Sequence, residues 1–168
     1  LNRVAGIEYD TALLTNITED HLDFHKTMEA YRDAKSLLFE HLGDGAKQGK
    51  CAVFNADDPS SAVLEGRTKV PFLTYGMGSD NDIYPLSYEV GAKAMHLRLH
   101  TPAGDMDLHL KITGKFNVYN VMGAIGVLLA EKISRDDIVR VLDGFAGVPG
   151  RFELVEAGQP YTVIVDYA

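Results

Sequence analysis

The chain has 168 residues, 46% hydrophobic and 24% charged, with a net charge of −8; such a composition suits one soluble globular domain or most of one. An acidic surface repels phosphate backbones, which argues against nucleic-acid binding, yet a small phosphorylated ligand needs only a local positive pocket or a helix N-terminus. No stretch approaches the ~20 apolar residues of a membrane span, the first residues carry no signal-peptide pattern, and a lone cysteine, Cys51, cannot make an internal disulfide, so a cytoplasmic setting is expected.

In chain order, Thr11 to Asn16 reads as a first strand ending in a polar cluster. The apolar spacing of Met28, Tyr31, Leu38, Phe39 and Leu42 predicts a helix from Met28 to about Leu42, with Thr27 as N-cap and Glu29 in its first turn. Gly43, Gly45 and Gly49 end it. Cys51 to Asn55 is a short buried-type strand, within which Cys51 reads as a small hydrophobe. Asp58 and Pro59 are placed as N-cap and first residue of a second helix, and Val70 to Tyr75 is a third strand. Between about Asp82 and Ile112 the pattern changes to alternation, in Tyr88–Val90, His96–His100 and Met106–Ile112. That period marks half-exposed antiparallel strands, with 101–105 as a hairpin connection. Val118 to Lys132 is apolar nearly all round and predicts a buried helix. Ser134 caps another helix from Arg135 to about Phe145, and 152–155 and 161–165 close the chain as strands. Alternating buried strands and helices give an α/β domain with a mainly parallel sheet flanked by helices, and residues 82–112 add a small antiparallel sheet.

Five places hold residues that chemistry could use. The densest is Thr15 to His25, which follows a strand at the end where α/β sheets collect ligands. Its two imidazoles, His21 and His25, and neighbouring carboxylates read either as a capped, solvated turn or as a metal or phosphate site; oxygen-rich donors favour Mg²⁺ or Mn²⁺ over structural zinc. Lys35 falls in the middle of the apolar stripe of the first helix. There a lysine either snorkels to water or sits partly desolvated, with a lowered pKa and an amine able to take up CO₂ as a carbamate. Asn117 and Asn120 share a face at the mouth of the buried helix. They read either as an N-cap at Asn117 with a buried hydrogen bond at Asn120, or as an adenine contact, since a carboxamide matches the donor–acceptor edge of that base. Arg151, after the turn Val148-Pro149-Gly150, is a surface ion pair or a phosphate clamp. Asp166, at the end of the last strand, starts a loop or accepts ribose hydroxyls. No GxGxxG, GxxxxGK[ST] loop or nucleophile elbow occurs in these residues.

Together the segments Arg3–Gly6, Leu14–His25, Met28–Lys35, Asn55–Asp58, Gly114–Asn120, Val148–Glu153 and Val165–Ala168 resemble the Mur ligases, in particular the tripeptide-forming branch. The stretch TNxxxDHLDxH, followed ten residues later by Lys35, is the most specific part. The resemblance implies a central, ATP-handling domain related to the P-loop NTPases, with the N-terminal part of that domain absent from residues 1–168. It further implies a parent enzyme with additional N- and C-terminal domains. That enzyme would use ATP and Mg²⁺ to join a diamino acid, meso-diaminopimelate or L-lysine, to UDP-N-acetylmuramoyl-L-alanyl-D-glutamate through an acyl phosphate. It implies Lys35 as a carbamylated lysine near a metal, His21 as a ligand of that metal, Asn117 and Asn120 at the adenine, Arg151 at the nucleotide, Asp166 at its ribose and Arg3 at the UDP-muramoyl substrate. Since the family's phosphate loop is not among these residues, the 168-residue polypeptide is expected to be inactive alone. Another Mur ligase, a folylpolyglutamate synthase-like enzyme, or a non-catalytic nucleotide-binding relative remain the alternatives.

Overall fold

A computed structural model describes residues 6–18, 27–143, 145–155 and 157–167. Three parallel strands, β1 (Thr11–Leu14), β2 (Cys51–Asn55) and β3 (Phe72–Tyr75), lie in the order β1-β2-β3. Leu14 pairs with Phe54, and Phe54 with Thr74. The central strand has its last four residues fully or almost fully buried, as a strand covered on both faces requires. One face, through Ala12, Leu14, Ala52 and Phe54, packs on α1 (Met28–Glu40) and α2 (Ser61–Glu65) by way of Tyr31, Phe39 and Leu64. The Phe54 ring lies between those of Phe39 and Phe72, at centroid distances of 4.9 and 5.6 Å.

The other face, through Leu13, Val53 and Tyr75, meets α3 (Phe116–Ala130). Two glycines allow the close approach: a Cβ at Gly126 would stand 2.6 Å from Val53 Cγ1, and one at Gly123 would stand 3.1 Å from the Tyr75 hydroxyl. The opposite side of α3 is covered by an antiparallel sheet of β4 (Tyr84–Val90), β5 (Met95–His100) and β6 (Met106–Leu110). Here Met95, Leu97, Leu99, Met106, Leu108 and Leu110 point inward and are almost completely buried, while the residues between them face out. Sandwiching between two sheets explains why α3 is apolar nearly all round. Helix α4 (Arg135–Asp143) packs against β6, and a short antiparallel pair, β7 (Glu153–Val155) and β8 (Val163–Val165), completes the described chain.

The predicted elements are all present, with shorter bounds at β1, β3, β6, α1, α4, β7 and β8 and with α3 starting and ending two residues early. Thr27 caps α1, its hydroxyl accepting from Ala30 N at 3.2 Å, and Ser134 Oγ accepts from Asp137 N. Two predicted caps are corrected. The helix after Asp58 starts two residues beyond Pro59, with Ser60 at its N-cap. Asp58 instead braces the turn before it, accepting from Ser60 N at 2.8 Å and from Ile17 N at 2.7 Å. Likewise α3 begins one residue before Asn117, with Lys115 at the cap position. The Asn117 carboxamide reaches back to the Thr113 carbonyl, at 2.7 Å. No described helix is long and apolar enough to cross a membrane.

Candidate functional site

The carboxyl ends of β1 and β2 and the first turn of α3 enclose a concavity of about 290 Å³, lined by Thr15, Asn16, Asn55, Asp57, Tyr119 and Asn120 among others. Its walls are held by bonds between distant parts of the chain. Asn55 donates from Nδ2 to the Thr15 carbonyl at 2.7 Å, and its Oδ1 accepts from Asp57 N at 3.1 Å. Asp57 Oδ2 accepts both from the Tyr119 hydroxyl and from Met77 N, each at 2.8 Å. Tyr75 donates to the Leu14 carbonyl at 3.0 Å. Burial, followed by the Asp57 hydrogen bond and charge, pushes the Tyr119 phenol up to about 12; Tyr75 is raised still further, chiefly by burial and then by Asp58. Both phenols therefore stay protonated at neutral pH and serve as donors.

The other side of the same helix turn opens on a second concavity of about 530 Å³, lined by Lys93, Lys111, Asn117, Arg151 and Phe152 among others. Three cationic side chains against one carboxylate, Glu153, beside a helix N-terminus leave this pocket locally positive on an acidic protein. The two carboxamides bridge the concavities: Asn120 Nδ2 donates to Asn117 Oδ1 at 2.9 Å. Each amide group keeps a second N–H for another acceptor. The C-terminal pair β7–β8 closes this pocket, with Phe152 edge-on to Phe116 at a centroid distance of 5.4 Å. Arg151 donates to the Tyr167 carbonyl at 3.0 Å, and Asp166 Oδ1 accepts from Phe152 N at 3.4 Å. Phe152 adopts φ 49°, uncommon for a residue with a side chain. That backbone is held in place by the Asp166 bond and by the ring contact with Phe116.

Asn117, Asn120 and Arg151 line the concavities at one end of α3, whereas Asp166 lines neither and reaches this region only through its bond with Phe152 N. Lys35 is placed elsewhere: it lines neither concavity. It is exposed, with its amine 5.3 Å from the centroid of the Tyr31 ring. The buried residues of α1 are Tyr31, Ser36 and Phe39, whereas Leu38 of the predicted stripe is exposed, so Lys35 stands beside the buried face and not in its middle. His21 and Arg3 lie outside the described residues. Four contributors escaped the sequence reading as site residues: Asp57, Tyr119, Lys93 and Lys111. Only Asp57 carried a signal, its position just beyond a strand's carboxyl end. For a divalent cation the first concavity offers the carboxylates of Asp57 and Asp58, hard oxygens of the kind Mg²⁺ takes, but three of their four oxygens already accept hydrogen bonds from the protein.

The chain matches the Mur ligase middle domain family over residues 1–128. It is 46% identical over 170 residues to the UDP-N-acetylmuramoyl-L-alanyl-D-glutamate--2,6-diaminopimelate ligase of Bacillus velezensis, covering 100% of this chain and 35% of that protein. It is 39% identical over 168 residues to the UDP-N-acetylmuramoyl-L-alanyl-D-glutamate--L-lysine ligase of Staphylococcus haemolyticus, covering 100% of this chain and 34% of that protein. Among solved structures, MurF from Acinetobacter baumannii superposes with a TM-score of 0.82 at 25% identity, covering 95% of this chain and 34% of that one. A UDP-N-acetylmuramoyl-L-alanyl-D-glutamate--2,6-diaminopimelate ligase structure does so with a TM-score of 0.81 at 25% identity, covering 97% and 33%. The chain spans about a third of the length of the curated relatives it matches. With a family match over most of its length and a parallel sheet whose strand ends converge on one helix N-terminus, the chain belongs to the Mur ligase middle-domain family.

Proposed function

We propose that these residues form the ATP-handling part of a cytoplasmic ligase that adds a diamino acid, meso-diaminopimelate or L-lysine, to UDP-N-acetylmuramoyl-L-alanyl-D-glutamate in peptidoglycan synthesis. The observation that carries this reading is the 46% identity, over the whole chain, to a relative of that name. A lysine-adding relative at 39% leaves the choice of amino acid open.

In this reaction the γ-phosphoryl group of ATP passes to the substrate carboxylate, giving an acyl phosphate and ADP. The incoming amine then attacks the acyl carbon; the C–N bond forms, the C–O bond to phosphate breaks, phosphate leaves and the nitrogen gives up a proton. Such chemistry depends mainly on positioning and charge. Asn117 and Asn120 are assigned to the adenine edge, because they present amide groups at the turn of α3 that separates the two concavities. Arg151 is assigned to the phosphates, supported by its place beside Lys93 and Lys111. Asp166 is assigned to the ribose, and Arg3 to the UDP-muramoyl group. Magnesium would supply charge neutralisation at the phosphoryl group. His21, together with Lys35 as its carbamate, is the pair assigned to hold it; that carbamate forms when the neutral amine adds CO₂ and releases a proton.

The test is substrate dependence in the full-length polypeptide. ADP release should require UDP-muramoyl-dipeptide and one of the two diamino acids together. Release that ignores the muramoyl substrate, or that follows a pteroyl-glutamate acceptor instead, overturns the assignment. Within it, Lys35→Ala should lower kcat far more than it perturbs folding, with partial rescue by acetate; near-wild-type kcat removes Lys35 from the mechanism.

A further inference from the structure

The outward face of the antiparallel sheet holds three of the six histidines of the chain, each beside a carboxylate: His96 with Asp107, His100 with Asp105, His109 with Asp143. One of these groups is organised beyond a simple ion pair. Register places His96 directly across from His109, and Arg98 across from Asp107. Opposed residues of antiparallel strands share a face, so His96, His109 and Asp107 all project to the same side. The two imidazoles stack at a centroid distance of 4.3 Å and an angle of 11°. His96 Nε2 lies 2.5 Å from Asp107 Oδ1, and one ligand atom from each of the three residues falls within 4.8 Å of the others.

We propose that His96, His109 and Asp107 form a binding site for a divalent transition-metal ion of the zinc class, apart from the nucleotide site. Two imidazole nitrogens and one carboxylate oxygen are the donor set that such ions favour, with a fourth position left to water; Mg²⁺ prefers oxygen donors. Arg98 Nε stands 3.9 Å from the second oxygen of Asp107, Oδ2, and leaves Oδ1 to the site. Further acid surrounds it. Asp143, at the end of α4, has Oδ1 4.0 Å from His109 Nδ1, and Glu89 of β4 occupies the position across from His96. Both line, with His96 and His109, a concavity of about 490 Å³. None of the three ligands lines either concavity at the end of α3. A bound ion would clip β5 to β6 and draw α4, through Asp143, onto the sheet edge.

Zinc uptake by the 168-residue chain, measured by equilibrium dialysis against Zn²⁺ with Mg²⁺ as the counter-probe, tests this. One Zn²⁺ per chain is expected, with no uptake of Mg²⁺ at this face. His96→Ala and His109→Ala should each weaken zinc binding by roughly 10–100-fold or more. Asp107→Asn, which keeps the shape of the strand surface, should do the same should either alanine variant fold poorly. His41→Ala, removing an exposed imidazole paired with Asp44, should leave uptake unchanged. Absence of saturable zinc binding, undiminished binding in the His96 and Asp107 variants, or an equal loss in His41→Ala each overturns the proposal.

Discussion

The two sheets that enclose α3 distribute their residues in opposite ways. In the parallel sheet, β2 buries Ala52, Val53, Phe54 and Asn55 in succession. In the antiparallel sheet, β5 buries Met95, Leu97 and Leu99 and turns His96, Arg98 and His100 outward. A strand covered on both faces has no side chain to spare along its length, so its chemistry appears at and beyond its last residue, at Asn55 and then at Thr15, Asn16, Asp57 and Asp58. A strand covered on one face can carry chemistry along its length, which is where the histidine cluster lies.

Consecutive alanine substitutions break this comparison most directly. Phe54→Ala should cost about 3–5 kcal/mol and its neighbour Val53→Ala a comparable order, because both are completely buried. In β5, Leu97→Ala should cost about 2–5 kcal/mol, whereas Arg98→Ala should stay within about 0.5 kcal/mol. Denaturant melts read both pairs. A costly Arg98→Ala would mean that the outward face is structural after all.

A smaller effect tests how the parallel sheet meets α3. Glycine-to-alanine inside a helix normally stabilises by about 1 kcal/mol. At Gly126 the added Cβ would meet Val53 Cγ1 at 2.6 Å, and overpacking costs about 1–3 kcal/mol. Gly126→Ala should therefore destabilise on balance, and Val53→Ala in the same chain should relieve part of the loss. Gly126→Ala melting above the wild type would show that the helix can shift outward.

Smaller again is the expected effect at the strand ends. Asn120 is exposed, so Asn120→Leu should leave stability nearly unchanged while raising KM for ATP in the full-length polypeptide. Loss of one hydrogen bond, about 0.5–1.5 kcal/mol, corresponds to roughly 2- to 13-fold. An unchanged KM would confine Asn120 to its bond with Asn117.

What could be read in advance follows the same division. The run Cys51–Asn55 and the alternation from Met95 to Leu110 are local patterns, and both strands have the expected character. Caps were legible at Thr27 and Ser134, where a hydroxyl meets an amide three residues on. They were misread at Asp58 and Asn117, whose side chains bond to parts of the chain that periodicity does not weigh: Asp58 to Ile17, and Asn117 backward to Thr113. The site needed contacts at long range. Tyr119 meets Asp57 across 62 positions, and Lys93, Lys111 and Arg151 converge from three separate segments. Nothing local distinguishes those lysines from solvated ones. Lys35 shows the reverse: the helix was legible, but its buried face runs through Tyr31, Ser36 and Phe39, with Leu38 exposed, so the stripe drawn around Lys35 lay a residue off.

The smallest expected effect lies at the opposite, amino-terminal edge of the parallel sheet, where charges rather than polar uncharged groups fix the chain. Glu8, just before β1, accepts from Lys47 N at 2.6 Å and pairs with Lys50 Nζ at 2.9 Å. Lys47 also reaches Asp10 at 2.7 Å. The Lys47 amide, then Lys50, hold the Glu8 carboxyl below its ordinary value. A carboxyl group depressed in the folded state contributes stability above its unfolded pKa, and that contribution disappears as pH falls through the lower folded value. Near neutral pH, Glu8→Gln should therefore melt slightly below the wild type, because the half-buried amide keeps an acceptor oxygen for Lys47 N and for the buried Lys50 but loses the charge. The gap should narrow as pH drops below the ordinary glutamate range and close once Glu8 is protonated in both states. Parallel thermal melts across that range measure it, with the Glu8 side-chain carbon followed by NMR titration. A gap that persists or widens in acid would show that Glu8 acts through packing against Gly45, where a Cβ would stand 2.5 Å from its carboxylate oxygen, and not through its charge.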